Sequence, residues 1–192
     1  MYAADLIAQI REDLEVHRGD WTHAGFRALA VHRIGTWVRP KHGLVWSVLR
    51  RLHMVMYSYV RNHYGIELHR STVVGRRVTI AHPMGIAING ATVIGDDCTI
   101  YQNVTLGALN GERVLEAPTL GRGVTVGCGA AVIGPVTIGD EARIGPNAVV
   151  MTDVPAGATV FVNPPRMLLK MRVGTKVEQK AETPYEVGAG RT

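Results

Sequence analysis

The chain has few cysteines and few aromatic residues among its 192 positions. Its two cysteines, Cys98 and Cys128, form no CxxC pair and have no histidine at the spacing of a metal site. This pattern argues against a disulfide scaffold and predicts two reduced packing residues in a cytoplasmic protein. Aromatic residues make up only 6% of the chain, and no motif combines them with basic residues for recognition. A nucleic-acid-binding protein is therefore not expected.

Neither a signal peptide nor a membrane-spanning segment is expected. The first residues carry Asp5 and Arg11 within a helical pattern, unlike a signal peptide. Residues 44–60 are apolar but include Arg50 and Arg51, so this stretch is too short and too charged to cross a bilayer. It predicts an amphipathic helix packed on its neighbours, with peripheral contact between its basic side and a membrane as the alternative.

Acidic residues are outnumbered by basic ones. The chain has 16 Asp and Glu against 21 Lys and Arg, a formal net charge of +5, and an isoelectric point near 9.5. The excess comes mainly from the N-terminal third and the C-terminal tail. It favours an anionic partner, such as a membrane surface or a phosphorylated ligand like coenzyme A.

The most regular feature present is an aliphatic residue at every sixth position between residues 73 and 154, often followed by glycine. The clearest run comprises Leu120, Val126, Val132, Ile138, Ile144 and Val150. A period of six fits neither an α-helix nor a β-hairpin meander. It does fit a parallel β-helix, whose short strands turn one aliphatic side chain inward at each corner. One coil cannot bury its apolar side alone, so the coils are expected to stack into a rod.

Residues 1–64, 65–166 and 167–192 differ in composition and predict three segments. The first predicts three amphipathic helices, separated by turns near residues 19 and 40. The second is the β-helix, with β-branched residues and glycine turns. The third lacks an apolar period and predicts a solvated or disordered tail. The fold class is mainly β, a left-handed parallel β-helix with an N-terminal α-helical segment.

Two interruptions of the period are the places where function is expected. The series of corner residues shifts by two positions close to His82, and the period is absent from residue 108 to residue 117. The coils of such a rod form a repetitive scaffold. Functional residues usually lie on the loops that protrude from it.

His82 is the candidate general base, because it coincides with the shift. Glu67 lies 15 residues earlier, and one coil takes about 18 residues, so the two are expected close together on neighbouring coils. A carboxylate beside an imidazole fixes its tautomer and raises its basicity. The alternatives are a structural histidine and an exposed carboxylate at the first coil. His69 and His82 lack further ligands at useful spacing, so no metal site is expected.

Several segments of the chain resemble the serine acetyltransferase family of left-handed β-helix acetyltransferases. They are GFRALAVHRIG (25–35), GIELH (65–69), GRRVTIAHPMG (75–85), QNVTLG (102–107), IGPNAVV (144–150) and DVP (153–155). The resemblance covers residues 25–166 and implies direct acetyl transfer from acetyl-CoA to a hydroxyl group. It implies His82 as the general base and Glu67 in the place of the family's supporting aspartate.

The resemblance also implies a homotrimer with acetyl-CoA between adjacent rods. Backbone N–H groups near Gly107 are expected to stabilise the oxyanion. The pantetheine is expected along the coil positions of Ala108, Cys128 and Pro146. The segment that includes Arg166 is expected near the nucleotide.

The acceptor site is where the chain departs from the family. The family's serine site has an aspartate where Ala81 stands, and an Arg-His pair where Glu116 and Ala117 stand. An acidic Asp-Pro element between Arg18 and His23 is also absent. Because an amino acid requires charged partners for its carboxylate and ammonium groups, these departures favour another acceptor. The chain also resembles the shorter colanic-acid-type acetyltransferases, which modify exopolysaccharide sugars.

The sequence thus predicts an acetyl-CoA-dependent O-acetyltransferase acting on a sugar of an exopolysaccharide or its precursor. L-Serine, on the way to cysteine, is the alternative acceptor. A hexapeptide scaffold without enzymatic activity is the third possibility, distinguished by its failure to bind acetyl-CoA.

Overall fold

The computed structural model describes residues 3–163, and their first part is helical. The helices are α1 (Ala3–Val16), α2 (Ala24–Val38) and α3 (Leu44–Tyr64). Arg18 and Gly19 follow α1 with φ of 59° and 73°, and Gly65 follows α3 with φ of 61°. These left-handed residues end α1 and α3, because their backbone cannot continue the right-handed path. The predicted helical segment with three helices is confirmed, and no helix of the described residues is long and apolar enough to cross a bilayer.

After Gly65 the described chain forms short strands of two or three residues. They are β1 (Ile66–Leu68), β2 (Val73–Val74), β3 (Thr79–Ile80), β4 (Ile86–Ile88), β5 (Val93–Ile94), β6 (Thr99–Ile100), β7 (Thr105–Gly107), β8 (Thr119–Leu120), β9 (Thr125–Val126), β10 (Ala131–Ile133), β11 (Thr137–Ile138), β12 (Arg143–Ile144), β13 (Val149–Val150) and β14 (Thr159–Val160). They build three sheets, in the orders β1-β4-β7-β10-β13, β2-β5-β8-β11 and β3-β6-β9-β12-β14. Neighbouring strands pair in parallel, so the predicted parallel β-helix is confirmed.

The strand register measures the length of each coil. Thr119 of β8 pairs with Thr137 of β11, the 18-residue repeat of a regular coil. Ile66 of β1 pairs with Ile86 of β4, so the first coil has two additional residues, which lie between β3 and β4. Val93 of β5 pairs with Thr119, which leaves eight additional residues between β7 and β8. Both interruptions of the sequence period therefore correspond to loops that leave the rod.

The period-six aliphatic residues fill the interior of the rod. In the third sheet, Ile100, Val126 and Ile144 stack in register and are almost fully buried. Burial of each such side chain contributes about 1.5–3 kcal/mol relative to exposure. Since every coil supplies the same apolar corners, the stack forms one continuous core.

Helix α2 packs directly on the first coil. A Cβ atom added to Gly25 would lie 2.4 Å from the carbonyl oxygen of Ile80, so only glycine permits this approach. Arg33 of the same helix donates through Nη1 to the Val74 carbonyl (2.7 Å) and through Nη2 to the Gly75 carbonyl (2.5 Å). These contacts fix the helices against β2 and β3.

A buried ion pair joins α1 to α2. Arg33 Nε lies 3.0 Å from Asp13 Oδ2, and Nη2 lies 3.2 Å from Oδ1, which is a bidentate arrangement. Burial raises the pKa of the Asp13 carboxyl, while the hydrogen bonds and charge of Arg33 oppose this rise. The guanidinium therefore connects three elements: α1, its own helix and the first coil.

His32, also on α2, makes folding sensitive to acid. Its Nε2–H donates to the Thr72 carbonyl (3.1 Å), and burial lowers its pKa to about 4. Because an ordinary histidine has a pKa of about 6.5, the unfolded chain binds a proton at this residue before the folded protein does. This contribution to stability is complete above about pH 6.5 and is lost progressively towards pH 4, by about 3 kcal/mol.

We expect the His32→Gln variant to keep a donor for Thr72 and to remove this part of the acid sensitivity. Urea unfolding at pH 7 and pH 4 should show a loss of unfolding free energy about 3 kcal/mol smaller than in the wild type. His42→Gln, at an exposed position, is the control and should keep the wild-type pH dependence. An unchanged pH dependence in His32→Gln would contradict the expectation.

Candidate active site

His82 lies on the loop between β3 and β4 that contains the two additional residues. The loop turns sharply, since Met84 and Gly85 have φ of 94° and 67°. The positive φ of Gly85 favours glycine there, and a Cβ atom would also require the Asn103 amide, 2.1 Å away at Oδ1, to move. The His82 side chain is exposed, and its ring centroid is 6.0 Å from that of Tyr101. The irregular coil thus presents the imidazole outside the rod.

A cavity of about 540 Å³ opens beside His82. Its wall combines the end of α1, the connection from α1 to α2, and the first coils of the rod. Besides His82, the lining includes His17, Arg18, Asp20, His23, Ala81 and Tyr101. A small polar molecule fits such a space, and the imidazole is within the same enclosure.

Two further histidines form the inner wall of this cavity. His17 is buried, receives the Ile80 N–H at Nε2 (3.3 Å) and donates from Nδ1 to the Asp13 carbonyl (2.6 Å). Nε2 is thus the acceptor and Nδ1 the donor in these two hydrogen bonds. The His23 ring is 5.0 Å from that of His17, and burial lowers the pKa of His23, with a smaller effect from His17. His17 therefore anchors the strand that leads to His82.

Groups of opposite charge lie on the connection between α1 and α2. Arg18 and Asp20 both line the cavity and are exposed. Thr22 donates to Asp20 Oδ1 from its backbone N–H (2.8 Å) and its hydroxyl (2.5 Å), and these bonds lower the pKa of the Asp20 carboxyl. The family's Asp-Pro element is absent from this connection, but Asp20 supplies a carboxylate to the cavity that His82 also lines.

Glu67 does not join His82 in the described part of the chain. It is the exposed residue between two buried ones in β1, so its side chain lies on the outer face of the first sheet. It lines a separate cavity of about 210 Å³, and within residues 3–163 no hydrogen bond or ion pair connects it to His82. The backbones are nonetheless adjacent, because Ile86 N–H donates to the Gly65 carbonyl (3.0 Å). The supporting role of Glu67 stays a prediction.

The positions assigned to acetyl-CoA fall into two groups. Gly107 ends β7 and lines the same cavity as Glu67, and Ala108 follows it at the corner between the first and second sheets. Cys128 and Pro146 stack at a different corner, between the third and first sheets, where Asn147 N–H donates to the Cys128 carbonyl (2.8 Å). Within a single chain, Ala108 therefore does not lie on the same corner of the rod as Cys128 and Pro146.

The remaining assigned positions are Arg166 and the three expected at the acceptor site, Ala81, Glu116 and Ala117. Arg166 lies outside the described residues. In the loop after β7, a short 3₁₀ helix (Gly111–Arg113) precedes Glu116, whose Oε2 is 3.6 Å from Arg113 Nη1. Glu116 and Ala117 do not line the cavity of His82, whereas Ala81 does. Within residues 3–163, no group of three or more His, Cys, Asp or Glu side chains is placed to hold a metal ion.

Comparison with known proteins identifies relatives over most of this chain. Residues 117–151 match the family model described as bacterial transferase hexapeptide (six repeats). A serine acetyltransferase of Synechococcus elongatus is 36% identical over 156 residues, 81% of this chain and 61% of the relative. One of Mycobacterium tuberculosis is 36% identical over 146 residues, 76% of this chain and 61% of the relative. The crystal structure of native serine acetyltransferase 1 from Entamoeba histolytica matches with a TM-score of 0.69 at 29% identity, over 83% of this chain and 64% of that chain. The chain thus spans less than two thirds of the length of these proteins.

Proposed function

We propose that the chain is a member of the serine acetyltransferase family of hexapeptide-repeat proteins and that it transfers acetyl from acetyl-CoA to the hydroxyl group of L-serine. The observation that carries the proposal is the cavity in which an exposed imidazole, His82, shares a wall with Arg18 and Asp20. The relatives from Synechococcus elongatus and Mycobacterium tuberculosis are named serine acetyltransferases, which favours L-serine over the exopolysaccharide sugar that Ala81, Glu116 and Ala117 suggest from sequence.

His82 acts as the general base in the proposed reaction. It accepts the hydroxyl proton while the oxygen attacks the thioester carbonyl carbon, and a tetrahedral oxyanion forms. Backbone N–H groups near Gly107 are the proposed donors to that oxyanion. Collapse of the intermediate breaks the C–S bond, and the imidazolium returns the proton to the thiolate. The products are the O-acetyl ester and free CoA, without a covalent enzyme intermediate.

Arg18 and Asp20 are the proposed partners of the amino acid. A zwitterion requires a cation for its carboxylate and an anion for its ammonium group. The family's Arg-His pair is replaced by Glu116 and Ala117, so its cation must come from elsewhere. Arg18 supplies a guanidinium and Asp20 supplies an ionised carboxylate in the cavity of His82. Arg18 thus takes the place of the Arg-His pair, and Asp20 takes the place of the aspartate that the family has at the position of Ala81.

Replacement of Arg18 should weaken serine binding without removing the base. We expect Arg18→Ala to raise the KM for L-serine about 10- to 100-fold, the effect of losing a hydrogen bond to a charged group, with a smaller change in kcat. Steady-state CoA release measures both constants. Arg11→Ala, at an exposed position of α1 outside the cavity, is the matched control. Equal KM values for Arg18→Ala and Arg11→Ala would remove Arg18 from the acceptor site.

A sugar hydroxyl is the second candidate acceptor. The observation in its favour is the Tyr101 ring beside His82, a flat apolar surface that suits a pyranose. The neutral Ala81 and Ala117, where the family has charged residues, agree with an uncharged acceptor.

A panel of acceptors tests the proposed function. Free-CoA release from acetyl-CoA is measured with L-serine, L-homoserine, a monosaccharide and an oligosaccharide. We expect the highest kcat/KM with L-serine. Turnover of a sugar with no turnover of L-serine would instead support the second candidate. If acetyl-CoA does not bind, the hexapeptide scaffold without activity is the correct interpretation.

We further propose that the active form is a trimer with acetyl-CoA between adjacent rods. Exposed aliphatic side chains on the outer faces of the coils support a contact between rods, among them Val73, Val149 and Met151. A second chain would also bring its own Cys128 and Pro146 corner towards a neighbouring cavity. Sedimentation of the full chain measures the assembly.

A further inference from the structure

Helix α3 carries an apolar surface that faces away from the other elements that the structure describes. We call it the α3 seam, and its residues are Leu44, Val48, Leu52, Val55 and Tyr59, each more than half exposed. At 100° per residue their spacing of four, four, three and four confines them to one stripe of the helix. The buried residues of α3, His53 and Val60, lie on the opposite side. Packing among residues 3–163 therefore leaves the seam without an apolar partner.

An apolar groove continues the seam towards α2. Its volume is about 430 Å³, and it is lined almost entirely by carbon atoms, including those of Val55 and Tyr59. Arg27 stands at its margin, where Nη1 donates to the Tyr64 hydroxyl (2.7 Å) and Nε donates to the Trp21 carbonyl (3.2 Å). The Trp21 side chain, which the guanidinium overlies at 5.3 Å, is itself exposed. A long apolar group fits this groove, with a positive charge at its mouth.

The charge around the seam has one sign. From Trp21 to Ile66 the sequence contains no Asp or Glu and seven Lys and Arg. Among the ion pairs of the described residues, a buried carboxylate neutralises Arg33 alone of these seven. Lys41 Nζ lies 4.6 Å and 4.7 Å from the rings of Trp37 and Trp46, next to the start of the seam. Aromatic rings combined with basic side chains are typical of the boundary between lipid head groups and acyl chains.

We propose that the α3 seam and its groove dock on an anionic phospholipid surface. The apolar stripe enters the boundary between head groups and acyl chains, and the surrounding Arg and Lys side chains pair with lipid phosphates. A second copy of the chain fits this face less well, because a twofold contact would bring positive seam flanks together without carboxylates between them. The docking is independent of the acetyl transfer proposed for the cavity of His82.

Vesicle sedimentation of the full chain tests the docking. The probes are vesicles of phosphatidylcholine alone and vesicles with 40% phosphatidylglycerol. We expect binding to the anionic vesicles at least tenfold tighter than to phosphatidylcholine, and weaker at high salt because the charge contribution is screened. Equal binding to both compositions, or none to the anionic one, would overturn the proposal.

A matched pair of variants distinguishes membrane binding through the α3 seam from nonspecific binding by any exposed leucine. Leu44 in the seam and Leu115 in the loop after β7 are both leucines and almost equally exposed, at 83% and 86%. Leu44→Glu should reduce binding to anionic vesicles at least tenfold, whereas Leu115→Glu should change it less than twofold. Circular dichroism verifies that both variants fold. If Leu44→Glu instead lowers the mass in light scattering and leaves vesicle binding unchanged, the face joins copies of the chain and the membrane proposal is wrong.

Discussion

The His82→Ala variant should release CoA about 10²- to 10⁴-fold more slowly than the wild type with saturating acetyl-CoA and L-serine, the usual contribution of a general base. The imidazole is the proposed acceptor of the hydroxyl proton, and alanine offers no replacement. Its exposure on a loop outside the rod means that the change removes no core packing. The fold and acetyl-CoA binding should therefore survive.

The control for this variant is His42→Ala, which removes an exposed histidine from the connection between α2 and α3. Its rate should equal that of the wild type. Circular dichroism shows whether His82→Ala remains folded, and the acetyl-CoA dissociation constant shows whether it still binds its acetyl donor. Wild-type turnover by a folded His82→Ala variant would remove His82 from the proposed role.

The Arg33→Met variant should have the largest effect on stability. It deprives the buried Asp13 carboxylate of its bidentate partner and leaves the Val74 and Gly75 carbonyls without their donor. Breaking a buried ion pair by removing one partner costs about 3–5 kcal/mol, because an uncompensated charge remains inside the protein. Urea unfolding at neutral pH measures this loss of unfolding free energy.

Two comparisons sharpen that measurement. Arg77→Met removes an exposed partner of Asp97 and should cost at most about 1 kcal/mol, as exposed pairs do. The double variant Asp13→Leu with Arg33→Met removes both charges and should recover part of the loss. A loss below about 1 kcal/mol for Arg33→Met alone would mean that the pair does not hold α1 to α2.

The sequence period predicts the rod because the physical constraint repeats. Each coil must bury an aliphatic corner, so residues such as Ile100, Val126 and Ile144 recur at fixed spacing. Interruptions of this spacing are also visible in the sequence. They predict the two extra residues near His82 and the eight after Gly107, which form loops according to the strand register. The fold and the location of its irregular loops therefore follow from local pattern.

The wall of the cavity does not follow from local pattern. Asp20 and His82 are separated by 61 intervening residues, and their meeting depends on how α1 and α2 lie on the first coil. That placement rests on close contacts such as Gly25 against Ile80, which leave no periodic signal in the sequence. A basic and an acidic residue in an otherwise ordinary helix connection look like a solvated turn. Arg18 and Asp20 were missed for this reason.

The positions of Glu67 and His82 show what coil spacing alone does not predict. A separation of 15 residues predicts neighbouring coils, and the backbones at Gly65 and Ile86 are hydrogen bonded as expected. Side-chain direction adds a further condition: Glu67 lies on the outer face of a strand, whereas His82 lies on a corner loop. Coil spacing predicts which residues are neighbours, but it does not predict which side chains touch.

The central claim is that the cavity of His82, Arg18 and Asp20 acetylates the hydroxyl group of an amino acid. Mass spectrometry of the products formed by the full chain from acetyl-CoA and L-serine tests it most directly. We expect O-acetyl-L-serine to accumulate in step with free CoA. If the protein binds acetyl-CoA and acetylates a sugar, yet forms no O-acetyl-L-serine, the claim is contradicted.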